Sequence, residues 1–168
     1  MAIILEKERS KVAKSLISLI RDRFLDEIAT HAQQAHPEEC CGMIRASGLR
    51  RCQNIQNELH RLDPVDHPRT AQTAFALNAE DTIFLIESLE TDDPVLAVYH
   101  SHPDGSAQFS HADTAGAAAY PHLFHLVVGC SAKGVLRAAL YGGNGQILQP
   151  RSRAYPAKRA SDRSHWGW

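Results

Sequence analysis

At 168 residues the chain can bury one hydrophobic core but is too short for a second full domain, so one globular unit is expected. Its 18 Lys+Arg against 19 Asp+Glu exclude a nucleic-acid or anionic-membrane partner chosen by overall charge. Residues 1–9 are apolar first and charged second, the reverse of a secretory signal, and no apolar run reaches membrane-spanning length; a soluble, cytoplasmic protein is expected.

Residues 16–20 are short, apolar and carry two isoleucines, which reads as a first strand, with a helix from Val12 as the alternative. From Arg21 the apolar positions Phe24, Leu25, Ile28 and Ala32 recur at helical spacing until Pro37 stops the pattern. Residues 40–46 and 50–55 flank Ser47-Gly48, a turn signal, and read as a hairpin. Residues 59–73 hold Pro64, Pro68 and two histidines without periodicity and are expected to be a long loop. A short strand at 74–77 follows, and Asn78 suits the N-cap of a helix over 79–90.

Residues 95–101 have the composition of a buried strand and deliver two histidines at its C-terminal end. After a loop, Ser110 opens a helix of small residues ended by Pro121. Segments 123–130, 135–141 and 146–149, separated by glycine-containing turns, read as a meander of strands. The whole is expected to be an α/β sandwich of a mixed sheet flanked by helices. Cys40, Cys41, Cys52 and Cys130 lack C-x-x-C spacing and read as reduced, buried, small apolar residues. The last eighteen residues carry five basic side chains against one acid, Asp162, which marks a basic, mobile tail; Trp166 and Trp168 also give it the composition of a docking peptide.

Chemistry concentrates between His100 and Asp113. In a strand, side chains two apart share a face, so His100 and His102 point the same way, close enough for two imidazoles to reach one ion. With ten histidines in the chain, an H-x-H arises by chance about half the time, so the pair alone is weak. The added offsets to Ser110 and Asp113 carry more weight. S-x-x-D is also the spacing of a capping box, and the two readings are compatible, since a cap fixes both side chains. His-His-Asp offers three ligands and leaves a fourth tetrahedral position open, as in catalytic rather than structural zinc sites. Such a site needs a base, and Glu38 and Glu39, just before a core strand, both offer a carboxylate.

These residues resemble the JAMM (JAB1/MPN/plus) metalloprotease family. His100, His102 and Pro103 match its H-x-H-P, a seven-residue loop leads to Ser110 and Asp113 as its S-x-x-D, and Pro37, Glu39 and Gly42 match its P-x-E-x-x-G. The resemblance covers about residues 16–149 and leaves an N-terminal extension (1–15) and the tail (150–168). It implies a cytidine-deaminase-like sandwich and a zinc peptidase or isopeptidase. His100, His102 and Asp113 would hold one Zn²⁺, Glu39 rather than Glu38 would be the base, and Ser110 would help stabilise the oxyanion.

The compact chain is similar to the prokaryotic branch, in which three activities stand out. The first, and the one expected here, cuts after the C-terminus of a ubiquitin-like protein, in its conjugates or its precursor. The others release cysteine from a sulfur-carrier protein or form the peptidase of phage tail assembly proteins, a group that residues 75–81 also resemble. A noncatalytic MPN-type scaffold is the alternative of another class. No nucleic acid or membrane partner is expected.

Overall fold

A computed structural model describes residues 2–149. Among the described residues six strands, β1 (Cys41–Ile44), β2 (Leu49–Cys52), β3 (Ala97–His102), β4 (Phe124–Ser131), β5 (Gly134–Gly142) and β6 (Ile147–Gln149), form one sheet in the order β2-β1-β3-β4-β5-β6. The β3–β4 pair is parallel and the other neighbours are antiparallel, so the sheet is mixed, as expected. A parallel pair needs a crossover, and the helix α5 (His111–Ala117) lies on that connection.

The other helices are α1 (Ala2–Leu19), a π-helical turn (Ile20–Phe24), α2 (Leu25–Ala35), α3 (Gln56–Leu62) and α4 (Ala79–Ser88). Helices α1 and α2 pack on the sheet face that carries Ala97, Tyr99, Leu126 and Val128. On the opposite face Met43 and Val98 meet Leu85 of α4, and Val127 and Tyr141 meet Ala107 and Phe109 of the β3–α5 loop. Ile20 and Ile28 have no exposed surface, and each such burial contributes about 1.5–3 kcal/mol relative to an exposed side chain.

Residues 16–20, expected as a strand, are the end of α1 and the start of the π turn. Ala13, Leu16 and Ile20 recur every three or four residues and are all buried. One helix face thus gains more burial than a short strand would, and this overrides the local β preference. The π turn adds a residue to the helical phase. Phe24 and Leu25, adjacent in sequence, are therefore both buried, and the stripe resumes at Ile28 and Ala32.

The expected loop at 59–73 begins inside α3. Residues 74–77 do not form the expected strand; Leu77 makes a single bridge to Asn54. The Ile55 N–H donates to the Ala76 carbonyl at 3.0 Å, and a side chain pairs further groups of this backbone. The Asn54 amide donates to the Ala74 carbonyl at 3.1 Å, and its oxygen accepts the Ala76 N–H at 3.2 Å. The hairpin of β1 and β2, the meander of β4 to β6 and the Asn78 cap, which accepts the Asp81 N–H at 2.7 Å, form as the sequence indicates. All four cysteines are free and buried. The expected tail lies outside the described residues, and among those described no helix is long and apolar enough to cross a membrane.

Candidate metal centre

Strand β3 alternates its side chains across the sheet, and that alternation builds the site. Tyr99 and Ser101 face α2, whereas His100 and His102 face the β3–α5 loop. On the α2 side the Tyr99 hydroxyl lies 2.8 Å from Nδ1 of His31. Gly42 of β1 is paired with Tyr99 in register, and an added Cβ there would collide with the Tyr99 ring. This close approach gives the glycine of the P-x-E-x-x-G pattern a physical reason. Ser101 Oγ accepts the Cys40 N–H at 2.9 Å, and the Ser101 N–H donates to the Cys40 carbonyl at 3.0 Å.

On the other face the Nε2 atoms of His100 and His102 stand 3.1 Å apart. Asp113 brings Oδ1 to 3.2 Å from the first and Oδ2 to 3.5 Å from the second. Ligand atoms at about 2.0–2.1 Å from a tetrahedral zinc are roughly 3.3 Å from one another, so these three side chains fit one ion. Glu39 joins them: ligand atoms of Glu39, His100 and His102 all lie within 4.8 Å of one another and could hold a metal ion. Two carboxylates thus flank the histidine pair, with Asp113 the closer.

Asp113 is held by its helix. Ser110 is the N-cap of α5; its Oγ accepts the Asp113 N–H at 3.1 Å, and Asp113 Oδ2 accepts the Ser110 N–H at 2.7 Å. The capping box and the contact with the histidines are therefore the same geometry. The loop leading to it is fixed from below. Phe109 stacks on Tyr141 at 5.1 Å, the Tyr141 hydroxyl donates to the Ala107 carbonyl at 2.7 Å, and the Gly105 carbonyl crosses so close over Gly129 that no Cβ would fit there.

Glu39 is placed by its backbone. Its N–H donates to the Ala71 carbonyl at 2.7 Å, and its carbonyl accepts from the Asn54 amide at 2.9 Å. The side chain is only 5 % exposed, and burial pushes its carboxyl up to about 7, with His102 opposing. Glu38 points elsewhere and accepts from the Asn57 amide at 2.7 Å.

Burial would raise the Asp113 carboxyl too, but hydrogen bonds to His100 and His102 outweigh it and hold the group well below the usual range. Burial lowers the fully enclosed His100. It also opposes protonation of His102, but the Asp113 hydrogen bond and the Glu39 charge reverse the balance and leave His102 raised. The two carboxyls are thus driven apart, Asp113 held low by its histidine partners and Glu39 pushed up to about 7 by burial.

The geometry also enlists residues that spacing did not reveal. Phe75 stacks on His100 with centroids 4.8 Å apart and planes at 27°. Asn54 ties the Glu39 carbonyl to residues 74–76, the segment that carries Phe75. His125 of β4 is 93 % buried, its Nε2 has no hydrogen-bond partner, and burial pulls its pKa down to about 4. An asparagine after a strand and one histidine among ten carry no distinguishing signal in a sequence.

Among curated proteins, the chain is 32% identical over 112 residues to the tail tip assembly protein K of Escherichia phage N15, a match that covers 64% of this chain and 40% of that protein. The chain thus matches well under half the length of that relative. Among solved structures, a protein of Desulfitobacterium hafniense shares 18% identity over 84% of this chain and 93% of its own, with a TM-score of 0.49. A JAB1/MPN domain protein of Archaeoglobus fulgidus shares 16% over 74% and 89%, with a TM-score of 0.42. The family described as prokaryotic homologs of the JAB domain matches residues 21–141, most of the chain, and the protein belongs to that family.

Proposed function

We propose that the chain is a metal-dependent hydrolase of peptide or isopeptide bonds in which His100, His102 and Asp113 hold one zinc ion and Glu39 handles the proton. The observation that carries this reading is the convergence of two imidazole nitrogens 3.1 Å apart on both oxygens of one carboxylate. Zinc in such a site supplies Lewis acidity to the scissile carbonyl and brings the pKa of water to about 7.

The chain's own groups divide the remaining work. Glu39, buried and clamped at both its N–H and its carbonyl, takes a proton from the attacking water and returns it to the leaving amine. Ser110 Oγ accepts the Asp113 N–H and keeps its own proton to donate to the developing oxyanion. Asp113 is the better ligand because its oxygens lie within 3.5 Å of both histidine nitrogens. That leaves Glu39 on the substrate side.

The similarity to a tail tip assembly protein supports a substrate among proteins of phage-tail type over the ubiquitin-like protein expected first from the sequence. Zinc-loaded chain is incubated with tail-tip proteins and with a ubiquitin-like protein fused through its C-terminus, wild type against Glu39→Gln. The proposal expects zinc-dependent cleavage of one substrate class, slowed at least about 100-fold in the variant. Cleavage of neither class would favour a noncatalytic binding module.

A further inference from the structure

Arg69 is an exposed cation on the stretch of chain that holds Glu39. The Gln56 amide donates to the Arg69 carbonyl at 2.9 Å, and two residues further on the Ala71 carbonyl accepts the Glu39 N–H at 2.7 Å. One guanidinium N–H donates to the Thr73 carbonyl at 3.2 Å. A guanidinium has five donors and pairs best with a carboxylate, yet among the described residues Arg69 makes no ion pair. Its charge reaches the site: burial raises the Glu39 carboxyl, and Arg69 is among the charges that oppose the rise.

Arg69 also lines a pocket of about 210 Å³ between α5 and residues 74–77. The floor is apolar, with Leu85, Val98 and Leu123 all buried. His100 and Asp113 form one wall, so whatever fills the pocket lies against two of the groups that converge on the metal. The volume is below the roughly 300–1,000 Å³ of pockets that bury a whole small ligand and suits one side chain. An apolar floor favours an apolar guest, and a cation on the lining favours a negative charge joined to it.

We infer that Arg69 is a specificity-determining residue: the pocket seats an apolar side chain of the substrate residue beside the scissile bond, and Arg69 pairs a carboxylate carried next to that side chain. Two sources share this chemistry, an adjacent aspartate or glutamate and the terminal carboxylate of the apolar residue itself. The word substrate rests on the hydrolase reading, while the preference for an apolar residue joined to a carboxylate is a binding property measured without any reaction.

Two substitutions probe the two halves of the site. Arg69 is exposed, so Arg69→Gln and Arg69→Lys leave the fold intact. Gly116 lines the pocket and an added Cβ there would meet nothing within 4 Å, so Gly116→Leu narrows the pocket in a folded protein. Zinc-loaded full chain is titrated with N-acetyl-leucyl-aspartamide against N-acetyl-leucyl-asparaginamide, and with N-acetyl-leucine against N-acetyl-leucinamide, while backbone amide shifts are followed by NMR. The expected result is perturbation centred on Arg69, Phe75 and Gly116, with one acidic probe bound about 3–10-fold tighter than its neutral partner at low salt. The pair that shows the advantage identifies the source of the carboxylate. Arg69→Gln should erase the advantage and Arg69→Lys should keep part of it, since lysine retains the charge without the planar fork. Gly116→Leu should weaken every leucine probe at least about tenfold, and zinc uptake should persist in all three variants.

Equal binding of acidic and neutral probes overturns the inference, and so does binding that ignores Gly116→Leu. An advantage that survives Arg69→Gln places the carboxylate on the zinc and overturns it too. Probe binding as expected, with no peptide cleaved by wild type, overturns the hydrolase reading and supports the role of Arg69. Cleavage whose kcat/KM is the same for acidic and neutral peptides, and unchanged by Arg69→Gln, overturns the role of Arg69 alone.

Discussion

Ser101 Oγ accepts the backbone N–H of Cys40 at 2.9 Å, so the residue between the two histidines ties their strand to the residue that follows Glu39. The side chain points away from the histidine pair, yet it ties the strand of His100 and His102 to the segment that carries Glu39. Ser101→Ala leaves a buried N–H unpaired, which costs about 1–3 kcal/mol. Urea denaturation should register that loss, zinc uptake should stay at the wild-type level, and hydrolysis should slow about tenfold or more. Ser101→Thr, which keeps a hydroxyl, should recover part of the rate. Unchanged hydrolysis in Ser101→Ala would show that Glu39 does not depend on this tie.

Asn54 holds Glu39 from the other side. Its amide donates to the carbonyls of Glu39 and Ala74, and its oxygen accepts from the N–H groups of Gln56 and Ala76. Asn54→Ala removes all four bonds, an expected loss of about 2–4 kcal/mol, and frees both Glu39 and the segment that stacks Phe75 on His100. Turnover should fall more than tenfold with zinc affinity changed only a few-fold. Equal losses of turnover and zinc affinity would place Asn54 in general stability rather than in positioning the base.

His31 gives stability a pH dependence remote from the metal. Burial lowers its pKa from the ordinary 6.5, so the folded state binds fewer protons than the unfolded chain below that value. Stability from this group is complete above about pH 6.5 and is lost as the pH falls through the window beneath it. Urea unfolding at pH 8 and pH 5 should therefore show a larger acid loss in the wild type than in His31→Gln. An equal loss in both proteins would contradict the assignment.

The mixed sheet flanked by helices is legible in the sequence, and so is the grouping of candidate site residues along it. His100, His102, Ser110 and Asp113 stand out by strand and cap spacings, whereas Glu39 is set apart from Glu38 only by the resemblance to the P-x-E-x-x-G segment. The structure brings all five to one face of the sheet. Residues 16–20 misled because a five-residue apolar run contains no period of its own; only the stripe through Ala13, Ile20 and Phe24 reveals the helix. Residues 74–77 misled for another reason. Their composition suits a strand, but their partners are the Asn54 side chain and the Ile55 N–H, about twenty residues away, and no local pattern announces them. His125 and Phe75 come beside His100 only after β3, β4 and the segment before α4 are assembled.

Zinc titration of the metal-free chain, followed by calorimetry and by metal content after dialysis, tests the central assignment most directly. One ion per chain is expected in the wild type and in Glu39→Gln, with binding lost or weakened at least about 100-fold in His102→Ala and Asp113→Ala. Retention in Asp113→Ala with loss in Glu39→Gln would exchange the roles of the two carboxylates. A wild type that binds no zinc, or a His102→Ala that binds it as well as the wild type, would contradict the metal centre itself.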